Sequence, residues 1–373
     1  MQQPEIKILI SGGGTGGHIF PAIAIADAIR RKSGRADILF VGAKGRMEMD
    51  KVPMAGYPIE GLWISGFQRN FTLKNLLFPL KLAVSLIKSG KILNRFKPDV
   101  VVGVGGYASG AICKMAVKKH IPVVLQEQNS FPGITNKLLA KDAAKICVAY
   151  DGMERYFPID KLIKTGNPVR KNMIDVAGKR NQAFEFFKLE KSKPVVFIVG
   201  GSQGAKAINE CIDENLGLFV RNNLQLIWQT GKFYIERAKS AISEKIEAGS
   251  QKSILAVEFI ERMDLAYAAA DIVVSRAGAI AISELCAVGK PCIFVPLPTA
   301  AEDHQTKNAL ALVGKQAAIH LPNHEVSQKL GGLVLDLAKN ESKRTELSTN
   351  IQKLAVSNSD DIIADEIIKI AVK

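Results

Sequence analysis

Residues 7–29, KILISGGGTGGHIFPAIAIADAI, leave an apolar run, pass five glycines, Thr15 and His18, and enter a stretch of apolar residues at helical spacing. Glycine lets backbone N–H groups approach a ligand with no side chain in the way. Several such residues at a helix start form a seat for an anion, most often a phosphate. The alternative is a tight strand-to-helix turn that holds nothing.

The same plan restarts at residues 193–212, KPVVFIVGGSQGAKAINECI. Around these two stretches, short Val/Ile-rich runs alternate with helical patterns: ADILFVG, PDVVVGVGG, PVVLQ and KICVA, then LQLIWQTG, ILAVEFI, ADIVVSRAG and PCIFVPLP. Near-continuous apolar runs separated by helices indicate parallel strands covered on both faces, a doubly wound α/β protein. A second echo links residues 98–129 to residues 270–298. Each has an Asp, a valine-rich strand, a glycine turn, a helix of small residues, a basic residue, a proline and another strand. We therefore expect two Rossmann-like domains facing across a cleft, with ligands at the carboxyl ends of the strands. The polar segment 165–194 holds the junction. The expected domains are 1–170 and 171–354, with a final amphipathic helix over 355–373 packing back on the first domain.

The chain has 373 residues, 47% hydrophobic and 23% charged, enough for two cores. Its formal charge of +14 favours an anionic partner. Only 6% of residues are aromatic and no arginine-rich run occurs, so nucleic acid ranks below a nucleotide or an acidic membrane. The five cysteines are odd in number and lack C-x-x-C spacing, which points to reduced core thiols. MQQPEIKILI has no signal-peptide core, and no apolar run is long enough to span a bilayer.

Gly12, Gly14 and Gly17 satisfy G-x-G-x-x-G, but the second strand ends in Gly42 and no carboxylate follows until Glu48, which weakens a dinucleotide reading. A G-K-[ST] sequence is absent, which counts against ATP hydrolysis. A better ribose ligand is Glu284, which follows Ser283 in the helix opened by Gly278; a helix-dipole role is the alternative. The second loop, Gly200 to Ala205, adds amides and the Ser202 hydroxyl. Two phosphate seats and a ribose-gripping carboxylate fit a nucleotide-diphosphate donor. No D-x-D motif for a divalent ion is found, so amides, helix dipoles and Arg170 would offset the leaving-group charge.

GGTGGHIFPA, GVGGYASG, QEQNSFPG, TGNPVR, GGSQGA, SRAGA…SE and DHQTKNA, in this order over nearly the whole chain, resemble the bacterial N-acetylglucosaminyltransferases that convert lipid I to lipid II. The resemblance implies the GT-B fold, a UDP-N-acetylglucosamine donor, and undecaprenyl-diphospho-muramoylpentapeptide as acceptor. The new bond is β-1,4, made with inversion. It further implies a peripheral enzyme on the cytoplasmic face of the plasma membrane, among other proteins of cell-wall synthesis, with no cofactor. Carried over by motif, Thr15, Gly16 and Gly17 belong to the first loop, and Asn129 to QEQN. Arg170 and Ser202 lie near the donor diphosphate, and Ile260 reads uracil through its backbone. Ala279, Ile280, Ala281, Ile282, Ser283 and Glu284 cover the ribose side, and Gln305 contacts the sugar. Tyr107 and Ser109 fall on the acceptor side. The chain departs from the family at Ile280–Ile282, where Leu-Thr-Val is common, and at His304, where a Gln precedes Gln305.

Inverting displacement needs a base for the acceptor hydroxyl. His18 is the candidate, with a phosphate or acceptor contact as its alternative role, and Glu127 is the substitute. His320 and His324 have metal-like spacing, but Pro322 breaks the helix that such pairing needs.

In residues 71–96, Leu73, Leu76, Leu77, Leu80, Val84 and Ile87 share one helical face; Phe78, Leu82 and Leu86 lie opposite. Lys74, Lys81, Lys88 and Arg95 recur every seven residues as a basic line. One stripe can enter the domain and the other meet anionic lipid, or both can be buried. Pro79 splits the segment or opens its second helix. Three other functions remain open on the sequence: a UDP-N-acetylglucosamine 2-epimerase, a diacylglycerol glycosyltransferase, and a non-catalytic nucleotide-sugar sensor.

Overall fold

The computed structural model describes residues 6–65, 77–169, 171–201 and 203–372. Two compact units emerge: residues up to Val169 together with those from Val356 onward, and residues 170–355.

The first unit is built on seven strands: β1 (Ile6–Gly12), β2 (Ala36–Ala43), β3 (Ile59–Leu62), β4 (Val100–Gly105), β5 (Val123–Glu127), β6 (Lys145–Val148) and β7 (Leu162–Lys164). All pairings are parallel and the order is β3-β2-β1-β4-β5-β6-β7, so the direction of winding reverses between β1 and β4. Alternation along β1 sends Ile8 and Ile10 to one face and Leu9 to the other. Ile8 and Ile10 pack with helix Gly16–Ser33 and with Ile363 and Ile367 of helix Ser359–Ala371. Leu9 packs with Val41, Ile112 and Leu125. Both faces are therefore dry, which is why the strands read as unbroken apolar runs.

The second unit has β8 (Val195–Val199), β9 (Gln225–Gln229), β10 (Ile254–Val257), β11 (Ile272–Ser275), β12 (Cys292–Phe294) and β13 (Ile319–His320). Again all pairings are parallel, in the order β10-β9-β8-β11-β12-β13, and the switch point lies between β8 and β11. The internal echo now has a structural meaning, because β4 and β11 occupy equivalent places. Asp99 accepts the Lys7 amide at 2.7 Å, and Asp271 accepts the Val195 amide at 2.8 Å. Each aspartate closes the start of the strand beside its own.

Pro79 lies in the first turn of helix Phe78–Phe96, where it opens the helix rather than breaking it. Leu82 and Leu86 pack on the core, whereas Leu77, Leu80, Val84 and Ile87 are 46%, 54%, 39% and 63% exposed. The described members of the basic line also fasten the helix to its unit. Lys81 bonds Ser65 and lies over Trp63, Lys88 bonds the Gly61 carbonyl, and Arg95 pairs with Glu60. Leu73, Lys74 and Leu76 lie outside the described residues. Among the described residues no helix is long and apolar enough to cross a membrane. All five cysteines are buried free thiols.

Candidate active site

At the carboxyl edge of the first sheet, β1 leaves its register at Ser11/Gly12, and the Ser11 hydroxyl bonds Val41 across the strand end. Part of the loop that follows is held by a carboxylate of the chain itself. Glu48, fully buried at the start of helix Glu48–Met54, accepts the Gly14 amide on Oε2 at 3.1 Å and the Ala43 amide on Oε1 at 3.0 Å. A Cβ on Gly13 would lie 2.2 Å from Glu48 Oε1, and one on Gly42 would lie 2.5 Å from its Cγ. Those two glycines make room for a carboxylate of the chain itself.

His18 is half-buried in the first turn of helix Gly16–Ser33. Its Nδ1 stands 3.0 Å from the Gly13 carbonyl oxygen. A carbonyl only accepts, so Nδ1 carries the proton and Nε2 the lone pair. A Cβ on Gly105 would meet His18 Nε2 at 2.9 Å, and one on Gly106 would meet the Gly13 carbonyl at 2.6 Å. Both residues have positive φ, +103° and +90°, so this glycine pair shapes the wall of the histidine site. Tyr107, next in sequence, is half exposed at the start of helix Tyr107–Lys118. Ser109 is fully buried with its hydroxyl toward Cys113, whereas Tyr107 reaches solvent.

Glu127 ends β5 and is also buried. Oε1 accepts the Asn129 amide and side chain; Oε2 accepts the Gly133 amide and the Asn136 side chain. Burial pushes its pKa up against the opposing pull of these donors. With both oxygens engaged by donors, Glu127 frames the loop carrying Asn129. Asn167 of TGNPVR completes that frame by bonding Gln126 and the Gln128 carbonyl. Arg170 lies outside the described residues, as does Ser202.

In the second unit, Gly201 and Gly204 adopt positive φ, and a Cβ on Gly204 would lie 2.0 Å from the Thr230 carbonyl. Gln229, buried at the end of β9, donates to Gly201 O at 3.1 Å and accepts the Ile260 amide at 2.9 Å. One side chain thus ties the glycine loop to the loop after β10. The Ile260 N–H expected to read uracil is held by this amide. Glu284, on helix Ala279–Val288, is 9% exposed and accepts the Tyr267 hydroxyl at 3.0 Å. Ala279, Ile280, Ala281 and Ile282 lead up to it, and Ser283 bonds back to the Ala279 carbonyl at 3.0 Å. Gln305 accepts the Leu297 amide at 2.9 Å, so the oxygen end of the residue expected at the sugar braces the loop after β12. Just before it, Glu302 and Asp303 both sit in the left-handed region, at φ 53° and 54°.

Arg276 carries no expectation from the sequence analysis, although SRAGA contains it. Its Nη1 donates to Val295 O, Pro296 O and Asn323 Oδ1, joining the ends of β11 and β12 to the segment after β13. Burial pulls its pKa down to about 10. A lone arginine inside an otherwise apolar glycine-turn motif was the available signal. His324 is exposed and pairs with Glu325. Among the described residues no group of three or more His, Cys, Asp or Glu side chains could hold a metal ion.

Residues 8–148 match the glycosyltransferase family 28 N-terminal domain, and residues 195–364 match its C-terminal domain. The chain belongs to glycosyltransferase family 28. A family 28 relative from Flavobacterium psychrophilum is 52% identical over 98% of both chains. It is named UDP-N-acetylglucosamine--N-acetylmuramyl-(pentapeptide) pyrophosphoryl-undecaprenol N-acetylglucosamine transferase. The crystal structure of MurG from Acinetobacter baumannii superposes with a TM-score of 0.77 at 26% identity, covering 98% of this chain and all of that one. A UDP-GlcNAc 2-epimerase from Neisseria meningitidis gives 0.67 at 16% identity, covering 98% of this chain and 100% of that one, and shares the fold alone. The N-terminal match runs from within β1 to the end of β6 and the C-terminal match spans β8 to β13, so both glycine loops fall inside the family's matched regions.

Proposed function

We propose that this glycosyltransferase moves N-acetylglucosamine from UDP-N-acetylglucosamine to the 4-hydroxyl of the muramoyl sugar of lipid I, giving lipid II for peptidoglycan. The observation that carries this reading is the full-length relationship to the transferase of Flavobacterium psychrophilum. In the proposed mechanism the second unit holds the donor. Glu284, oriented by Tyr267, grips the ribose diol; the loop at Ile260 meets the uracil; Ala279–Ser283, Ser202 and Arg170 lie along the ribose and diphosphate. The corner held by Gln305 and Arg276 meets the sugar. Acceptor contacts fall to the first unit, at Thr15, Gly16, Gly17, Tyr107 and Asn129.

The acceptor oxygen attacks the anomeric carbon as the bond to the β-phosphate oxygen breaks, and UDP leaves with the electron pair. His18 Nε2 takes the hydroxyl proton in the same step, and the configuration inverts. Helix N-termini and backbone amides stabilise the charge that develops on UDP. The exposed stripe Leu77, Leu80, Val84 and Ile87 supports a seat on the anionic cytoplasmic face of the membrane, where a lipid-linked acceptor resides. Other proteins of cell-wall synthesis are the proposed neighbours there.

Labelled N-acetylglucosamine supplied as the UDP sugar should appear in lipid II when synthetic lipid I is present. Epimerised donor without transfer, or transfer only to diacylglycerol, would replace this reading with a rival of the same fold.

A further inference from the structure

The peptide between Gly13 and Gly14 is gripped from both sides. Its N–H donates to Glu48 Oε2 at 3.1 Å, and its carbonyl receives His18 Nδ1 at 3.0 Å. Donation to a carboxylate draws electron density toward the carbonyl oxygen of the same amide. Bonds in such a chain strengthen one another, by about 10–30% each. A stronger acceptor at Gly13 O favours the imidazole tautomer with its proton on Nδ1. It also fixes the plane of the ring.

Glu48 suits that work because its Oε2 is held on the Gly14 amide while its Oε1 is anchored by Ala43. It is fully buried, and both oxygens accept amides, from Gly14 and Ala43, as a carboxylate requires. The neighbouring sequence is cut to fit it, since side chains on Gly13 or Gly42 would collide with its carboxyl or stem. On the far side, Gly105 and Gly106 leave room for the ring and for the Gly13 carbonyl. Four glycines from three strand ends thus enclose one carboxylate–peptide–imidazole array.

We propose that Glu48 is a positioning residue for His18, acting through the Gly13–Gly14 peptide as a carboxylate acts directly on the histidine of a catalytic triad. The proposal rests on the reading of His18 as the base. It gives a purpose to a carboxylate that in the sequence counts only as standing too far along to hold the ribose of a dinucleotide.

Glu48→Gln keeps the volume and removes the charge. Turnover should fall about 10- to 100-fold, the range seen when a partner that orients a histidine is lost. The donor KM, set on the other unit, should stay within about twofold. Nitrogen-15 NMR of the His18 ring should report a protonated Nδ1 in the unmodified enzyme and a mixture of tautomers in the variant. Unchanged turnover and an unchanged tautomer would overturn the proposal. If Glu48→Gln does not fold, the Gly14 and Ala43 amide resonances in the unmodified enzyme and in His18→Ala answer the same question. Gly14 should shift well beyond Ala43, whose amide meets the carboxylate but not the relay; equal shifts overturn the coupling. A His18→Ala enzyme with normal turnover would remove the base itself. An inactive His18→Ala beside a fully active Glu48→Gln would remove Glu48 alone.

Discussion

Tyr267 donates its hydroxyl to Glu284 at 3.0 Å, linking the helix before β11 to the helix after it. The tyrosine is 1% exposed, held edge-on by Phe197, so the carboxylate has a rigid partner. Tyr267→Phe should raise the KM for UDP-N-acetylglucosamine about five-fold, roughly 1 kcal/mol. Glu284→Ala should raise it about 100-fold, the loss of two charge-assisted bonds of about 1.5 kcal/mol each. With a 2′,3′-dideoxyribose donor the variant and the parent should converge; a persistent gap would remove Glu284 from the ribose.

Gln229 Oε1 holds the Ile260 amide. Gln229→Leu should leave the Ile260 amide exchanging about ten-fold faster, as expected for one lost bond of about 1.4 kcal/mol. Hydrogen exchange resolved at that amide checks it, and UDP should restore the protection if the base takes over the N–H.

Asp264 is bound by Arg262 and by Lys179, and the Arg262 guanidinium leads in pulling its pKa down to about 2 from the ordinary 3.8. A depressed carboxyl contributes stability above its unfolded value and loses it as pH falls through its folded value. The contribution should therefore be complete at neutral pH and vanish between about pH 4 and pH 2. Both partners reach solvent, so about 1 kcal/mol is expected after screening. Urea titrations of Asp264→Asn should show that deficit at pH 6 and most of it gone by pH 2.

Leu80 and Ile87 lie in the exposed stripe of helix Phe78–Phe96. Replacing both by Asp should cut flotation with anionic vesicles at least ten-fold, since each buried apolar side chain is worth about 1.5–3 kcal/mol. Turnover on a water-soluble acceptor analogue should not change. Charge reversal at Lys81 or Lys88 is a poorer probe, because these side chains also fasten the helix to Ser65 and Gly61.

The interior strands were legible because a parallel strand covered on both faces must be apolar throughout. The strands that the pattern does not announce are β3, β7 and β13, all at sheet edges and two to four residues long. These three carry no continuous apolar run, whereas β10, also at an edge, shows one in ILAVEFI. Glycine-rich turns marked where ligands would gather, yet the purpose of each glycine was hidden. Gly13, Gly42 and Gly105 yield to Glu48 and His18, partners distant in sequence. Ser109 follows Tyr107 by two residues, which on a helix turns it from the exposed side to the buried one.

Helix Ser359–Ala371 closes the unit that begins at the other end of the chain. Ile363 and Ile367 are fully buried beside helix Gly16–Ser33, while Arg31 meets Asp360 and Asp361 and Lys32 meets Asp365. On a ribosome, residues 170–355 can finish folding before this helix emerges, whereas the unit bearing His18 waits for it. The half that is translated first matures last, and a chain cut before Ser359 would injure the histidine-bearing half and spare the other.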